Sequence, residues 1–453
     1  MPTLFCRDGA ITPAHIILGR MKPSVILDRL KGSLIARNTL WMLVGQTTRT
    51  FLQAAYFILL ARTLGASGYG AFVGVTALVA ILAPFASMGS GNILIKNVAR
   101  NAKVFSVYWG NSIALTLMSA LFLLVVLLGV SVFVLPPSIP FLLVLTVALT
   151  DLLFTRLTDV SAQAYQAFQR LGRTAQIQVL VNLCRLIGVV VLIFATAGHT
   201  SAQWGALYLA STAFSAGVAV WLTCRELGRP KLDASKLELK EGFYFSISLS
   251  AMGIYNDIDK TMLVRLSTLE SAGIYGAAYR LIDIAFAPVR SLLFAAYARF
   301  FQHGATGVRG SLDFAMRFVP LAAVYGLFAG AVLFLMAPIV PYVLGGEYVN
   351  AVGAIRWLSL IPFFRSVHYF AADTLTGAGH QGLRSAVQVV VALFNVLLNF
   401  WLIPAYSWRG AAWSSLASDG LLMVLLWVAV WHLARKADVK EPGKVPYVAG
   451  SEP

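Results

Sequence analysis

The chain has 453 residues, 58% of them hydrophobic and 12% charged, with a net charge of +16 and a mean hydropathy of +0.77. So much apolar side chain exceeds what one soluble core can bury, which excludes a soluble globular protein and leaves a multi-pass membrane protein. Cys6, Cys184 and Cys224 are too few and too scattered for a disulfide framework or a metal site. No phosphate-cradling loop, HExxH or nucleophile triad pattern is present either, so no catalytic residue, cofactor or metal is expected.

Residues 1–38 form a basic leader containing Arg7, Arg20, Lys22, Arg29, Lys31 and Arg37. It lacks a signal-peptide layout, because the first long apolar run continues as a full span. Leu27, Leu30 and Leu34, interleaved with Arg29, Lys31 and Arg37, predict a short amphipathic helix on the inner leaflet. Residues before Met21 are expected to be dispensable. Twelve apolar stretches of about 20 residues or more then follow, the length a membrane-crossing helix needs. They are 39–61, 69–95, 107–134, 139–163, 176–197, 204–224, 243–265, 273–298, 314–344, 351–376, 385–404 and 409–434. These are too long for barrel strands and show no sustained two-residue alternation. The expected class is an all-α integral membrane protein with twelve transmembrane helices.

Basic residues alternate between loops. Lys96, Arg100 and Lys103, then Arg170 and Arg173, then Arg225, Arg229, Lys231, Lys236 and Lys240 fall in even-numbered loops. Arg299, Arg309 and Arg384 continue the series, and the tail has Arg435, Lys436, Lys440 and Lys444. Odd-numbered loops contribute only Arg62, Arg265 and Arg409. This asymmetry places both termini in the cytoplasm. It also accounts for the net charge, so no nucleic-acid partner is expected.

The chain repeats itself. "LLARTLGASGYGAF" (59–72) and "MLVRLSTLESAGIYGAAY" (262–279) share an apolar end, an arginine, a short turn and a Tyr-Gly-Ala opening. At a similar offset "AYQAFQRLGRTAQIQVLVN" (164–182) matches "TLTGAGHQGLRSAVQVVVA" (374–392). The repeat divides the chain into a six-helix bundle over 39–224, a cytoplasmic linker over 225–242, a second six-helix bundle over 243–434 and a cytoplasmic tail over 435–453. An even number of spans per half gives both halves the same orientation, so the axis relating the bundles lies along the membrane normal. Parallel repeats of this kind flank a central cavity and rock about it.

The stretches "FILLARTLGASGYGAFVGVTALVAILAPFASMGSGNILIKNVAR", "DKTMLVRLSTLESAGIYGAAYRLIDIAFAPV" and "NFWLIPAYSWRGAAWSSLASDG" resemble the polysaccharide transporter family. That family belongs to the multidrug, oligosaccharidyl-lipid and polysaccharide flippase superfamily, and the resemblance extends over nearly the whole chain from about residue 33. It implies a flippase that moves undecaprenyl-pyrophosphate-linked oligosaccharide, such as an O-antigen or exopolysaccharide unit, from the cytoplasmic to the periplasmic leaflet. By the same resemblance the site of action is the bacterial inner membrane, with membrane lipids and glycan polymerase or assembly proteins as partners.

Ions inside the spans supply the candidate site. A charge at mid-bilayer costs roughly 2.5–3.5 kcal/mol on insertion scales, so these groups are expected to face a wet cavity or one another. Asp257 with Lys260, Arg280 with Asp283, and Arg156 with Asp159 stand three residues apart, where a helix brings side chains together. Each serves equally as ion pair or substrate contact. Asp259 lies on another face and is expected to point toward the facing bundle. Arg49, Arg185 and Arg365 have no acid one turn away. Guanidinium binds phosphate oxygens with a planar fork, so these three are the leading anion ligands. They are expected at mid-depth, with Lys260 and Arg280 nearer the periplasm and Arg156 and Arg290 nearer the cytoplasm. His368, three residues after Arg365, is a core or relay group, and Asp257, Asp259, Asp283 and Asp159 are the carboxylates for ion coupling or pairing. Two alternatives stay open: a multidrug cation exporter of the same fold, and a flippase for a peptidoglycan or teichoic-acid lipid precursor.

Overall fold

A computed structural model describes residues 34–195, 198–233, 239–305 and 307–440. The amphipathic helix expected in the leader lies outside the described residues as far as residue 33, with Leu34 and Arg37 in the first described helix, and the tail beyond residue 440 also lies outside them. Every regular element among the described residues is helical.

The first helix, α1 (Leu34–Leu82), breaks at Gly65, where φ of 68° falls in the left-handed region that glycine enters without a Cβ clash. After it, Pro84 opens a single 3₁₀ turn (Ala83–Ala86), Met88 and Gly89 take positive φ, and α2 (Ser90–Arg100) resumes. The predicted second span is therefore interrupted near its middle. Helices α3 (Phe105–Val134) and α4 (Phe141–Leu149) follow. A π turn over Thr150–Phe154 joins α4 to α5 (Thr155–Ala167). The first half closes with α6 (Leu171–Ala195) and α7 (Ser201–Glu226), the latter started by a Thr200 and Gln203 capping box.

The second half begins with α8 (Leu239–Leu266) and α9 (Leu269–Gly304), which runs through Pro288. The predicted ninth and tenth spans are broken. One becomes α10 (Val308–Met316), α11 (Val319–Met336) and α12 (Val340–Leu344), the other α13 (Ala351–Leu358) and α14 (Ile361–Gly377). Pro320, Pro341 and Pro362 each sit in the first turn of the new helix, where a missing N–H costs nothing. The chain ends in α15 (Gln381–Tyr406) and α16 (Trp408–Lys440).

Among the described residues, eight helical stretches are long and apolar enough to cross a membrane, including Gly45–Ala86 at 42 residues, Ala102–Val134 and Gln381–Tyr406. Helices α8, α9 and α14 fall outside that set, and they carry Asp257, Asp259, Lys260, Arg280, Asp283, Arg290, Arg365 and His368. Ions lie on the apolar stretches as well, Arg49 on α1, Arg156 and Asp159 on α5 and Arg185 on α6, so hydropathy alone does not separate ion-bearing helices from the rest. Phe133, Phe194, Phe328 and Trp401 are exposed on the outer surface, far more apolar area than a water-soluble monomer tolerates.

Two features hold the halves together. The Tyr-Gly-Ala repeats pack on one another: a Cβ on Gly70 would stand 1.7 Å from the Leu269 carbonyl, and one on Gly273 1.9 Å from the Ala66 carbonyl. Small residues allow that backbone approach. Beside them Glu347 accepts a hydrogen bond from the Ala66 N–H at 2.8 Å, and the Tyr348 hydroxyl donates to the Ala61 and Gly65 carbonyls at 3.1 Å. Along the rest of α1, Ser250 and Ser246 of α8 donate to the Ile81 and Pro84 carbonyls at 2.7 and 2.9 Å, satisfying backbone that the proline turn leaves open. The second repeated sequence also folds alike in both halves. Gln169 (φ 58°) and Gly379 (φ 82°) occupy matching left-handed positions, with Arg170 N–H bonded to Tyr165 O and His380 N–H to Leu375 O.

Candidate functional site

In the first half Arg185 projects from α6. Its Nε donates to Thr212 Oγ1 at 3.2 Å, its Nη2 donates to Thr155 Oγ1 at 3.1 Å, and its guanidinium lies 4.6 Å from the Tyr208 ring centre. The carboxylate of Asp151 is 3.9 Å away. Asp151 sits in the π turn, where an extra residue per turn re-aims the side chain, and it accepts from the Tyr208 hydroxyl at 2.9 Å. Arg49 of α1 is held less firmly: Nη1 stands 3.5 Å from Gln178 Oε1, and its buried Nε has no partner. Asn182 donates to the Gln178 carbonyl of its own helix at 2.8 Å.

Arg156 and Asp159 of α5 form the expected pair at 3.2 Å and line a cavity of about 390 Å³ with Asn92, Gln163, Gln166 and Gln178.

In the second half Lys260 lies 2.5 Å from Asp257, as the spacing predicts, and 5.0 Å from the Tyr279 ring centre. Asp259 is buried within its own half. It accepts from the Tyr275 hydroxyl of α9 and the Ser415 hydroxyl of α16, so it does not reach the facing bundle as expected. Arg365 of α14 donates to Asp283 of α9 at 3.1 Å, stands 4.0 Å from Asp419 of α16 and lies 5.5 Å from the Tyr279 ring centre. His368 is buried, 3.2 Å from Asp419. Asp283 also attracts Arg290 at 3.6 Å.

These contacts redistribute the roles expected of the cations. Arg185 and Arg365, without an acid on their own helices, find one on a neighbour. Arg280, three residues from Asp283 on α9, makes no ion pair with it within 4.0 Å and lies near Tyr69 of α1 in the other half. Among the described residues, Arg49 and Arg280 are the two of the seven candidate cations with no carboxylate within 4.0 Å. Arg280 keeps an exposed side chain. Arg49 stands in the field of Asp159, then of Arg185 in its own half and of Arg290 and Arg280 in the other. Sequence reasoning missed the partners Thr155, Thr212, Tyr208, Tyr279 and Tyr69. Their one common signal is a hydroxyl inside an apolar span.

Several helices long and apolar enough to cross a membrane define a multi-pass membrane protein. The chain belongs to the Polysaccharide biosynthesis protein family, whose sequence profile matches residues 35–300. No curated protein is detectably similar in sequence. Among solved structures the chain resembles an inward-facing multidrug resistance MATE family transporter of the MOP superfamily, with TM-score 0.71 and 13% identity over 86% of this chain and 96% of that one. It resembles the lipid II flippase MurJ, in an inward closed conformation, with TM-score 0.70 and 10% identity over 86% and 87%. An outward-facing MATE transporter gives TM-score 0.59 and 15% identity over 89% and 96%. At these identities the likeness is one of fold: the chain has the architecture of MOP-superfamily transporters.

Proposed function

We propose that the protein flips a polyprenyl-pyrophosphate-linked oligosaccharide from the cytoplasmic to the periplasmic leaflet of a bacterial inner membrane. The observation that supports this reading is the pair Arg49 and Arg280, one from each half, both without a carboxylate within 4.0 Å among the described residues. A cationic drug would meet repulsion there, whereas a pyrophosphate would be gripped by guanidinium forks in low-dielectric surroundings. Arg185, Arg365, Lys260, Arg156 and Arg290 reinforce the potential, each beside an acid that fixes its position. The polar glycan rides in the interior and the polyprenyl tail stays in lipid.

The same reading takes the chain as twelve crossings in two six-helix bundles. The 42-residue stretch that bends at Gly65 crosses twice, and α8, α9 and α13–α14 add to the other apolar helices. The reciprocal packing of Gly70 and Gly273, and the matching turns at Gln169 and Gly379, support a two-fold relation between the bundles. With basic loops inside, the packed Gly65, Gly70, Gly273 and Glu347 end faces the periplasm. A closed periplasmic end agrees with the higher likeness to inward-facing structures.

The test is the lipid that co-purifies from mild detergent, identified by mass spectrometry. Wild-type protein should retain a pyrophosphoryl polyprenol glycan, and the R49Q/R280Q variant, expressed equally, should lose it. Retention by the double variant, or a wild-type protein holding only bulk phospholipid, would overturn the reading.

A further inference from the structure

The cavity beside Arg156 has a different chemistry from the cationic interior. At about 390 Å³ it holds roughly a dozen waters, space for one sugar rather than a whole repeat unit. Half of its polar lining is amide, Asn92 from α2, Gln163 and Gln166 from α5, and Gln178 from α6, and the hydroxyls of Ser87 and Thr174 add further groups that both donate and accept. The side chains of Asn92, Gln163 and Gln166 have no hydrogen-bond partner among the described residues. Its charged pair, Arg156 with Asp159 at 3.2 Å, is electrically balanced, and the buried Nε of Arg156 still lacks an acceptor.

Each amide offers both donors and an acceptor, which matches hydroxyls that do the same. A phosphate, all acceptor, would leave the amide oxygens facing anionic oxygens. The lining therefore selects a neutral polyol. Gln178 belongs to this cavity and also touches Arg49 at 3.5 Å, so a group seated here is one side chain away from an anion held at Arg49.

We infer that the cavity is the subsite for the sugar joined directly to the pyrophosphate, an inference that rests on the lipid-linked oligosaccharide reading. The subsite is set by the close pass of α2 over α5. A Cβ on Gly91 would lie 1.6 Å from Gln163 Oε1. Since that oxygen is the end of a flexible side chain, Gly91→Ala displaces the amide and leaves the helices in place.

The experiment measures binding of three lipids to purified protein in nanodiscs: undecaprenyl pyrophosphate, undecaprenyl-pyrophosphoryl-N-acetylglucosamine and undecaprenyl-pyrophosphoryl-galactose. Wild-type protein should bind at least one sugar-bearing lipid about tenfold more tightly than the bare pyrophosphate. The Q163L/Q166L variant and, independently, G91A should remove that preference while binding undecaprenyl pyrophosphate as wild type does. Equal binding of all three lipids by wild type, or an unchanged preference in both variants, overturns the subsite and leaves the pyrophosphate reading intact. Failure of wild type to bind any of the three overturns both.

Discussion

Arg185 is held by Thr212, Thr155, Asp151 and the Tyr208 ring, and Arg49 by one long contact to Gln178, so the same substitution has opposite consequences at the two sites. Arg185→Gln breaks charged hydrogen bonds worth about 2 kcal/mol and leaves Asp151 uncompensated. The purified variant should melt several degrees below wild type. Arg49→Gln removes no firm contact, so its melting temperature should stay within about a degree of wild type while retention of the anionic lipid falls. Equal melting losses in the two variants would make Arg49 a structural residue and remove it from the anion path. The pairs that one helix makes by itself, Asp257 with Lys260 and Arg156 with Asp159, were legible from spacing. The capture of Arg185 by Asp151 and of Arg365 by Asp283 was not, because such pairing depends on which helices become neighbours.

Among the elements, the break in α1 is the one most dependent on a distant part of the chain. The helix restarting at Ala66 has an N–H that Glu347 caps from 281 residues away, while Tyr348 bonds the carbonyls at the end of the preceding segment. A carboxylate at a helix N-terminus also meets the positive end of the macrodipole. Glu347→Ala should loosen this end, so a cysteine placed at Ser67 should react faster with a membrane-impermeant maleimide. An unchanged rate would mean that the glycine packing alone keeps the end shut. A boundary near Gly65 was readable, since the apolar runs stop at 61 and restart at 69 around a glycine-rich turn. Its partner was not readable, because no local pattern assigns Glu347 to it. The π turn carrying Asp151 left no trace either: "TDLLF" has no composition that distinguishes it from ordinary helix.

For the whole molecule, the alternation of basic and charge-poor loops predicts one arrangement in the membrane. Cysteines introduced near Ser138, Thr200 and Glu347 should label from outside intact cells, and those near Lys103, Lys236 and Lys440 only after permeabilisation. Labelling at Lys236 in intact cells would invert the model of transport direction. The helical class and most of the spans were legible because bilayer thickness imposes a length on every crossing. Interruptions at Pro84, Pro320 and Pro362 were softer, because a proline in a long apolar run either bends a helix or restarts it, according to what packs alongside. The contact of Gly70 with Leu269 and of Gly273 with Ala66 has a further, genetic consequence. Each repeat is the surface on which the other was fitted, so neither stretch can drift in sequence by itself. A side chain gained at one glycine must be answered by space opened some 200 residues away, and the two halves are bound to change in concert or not at all.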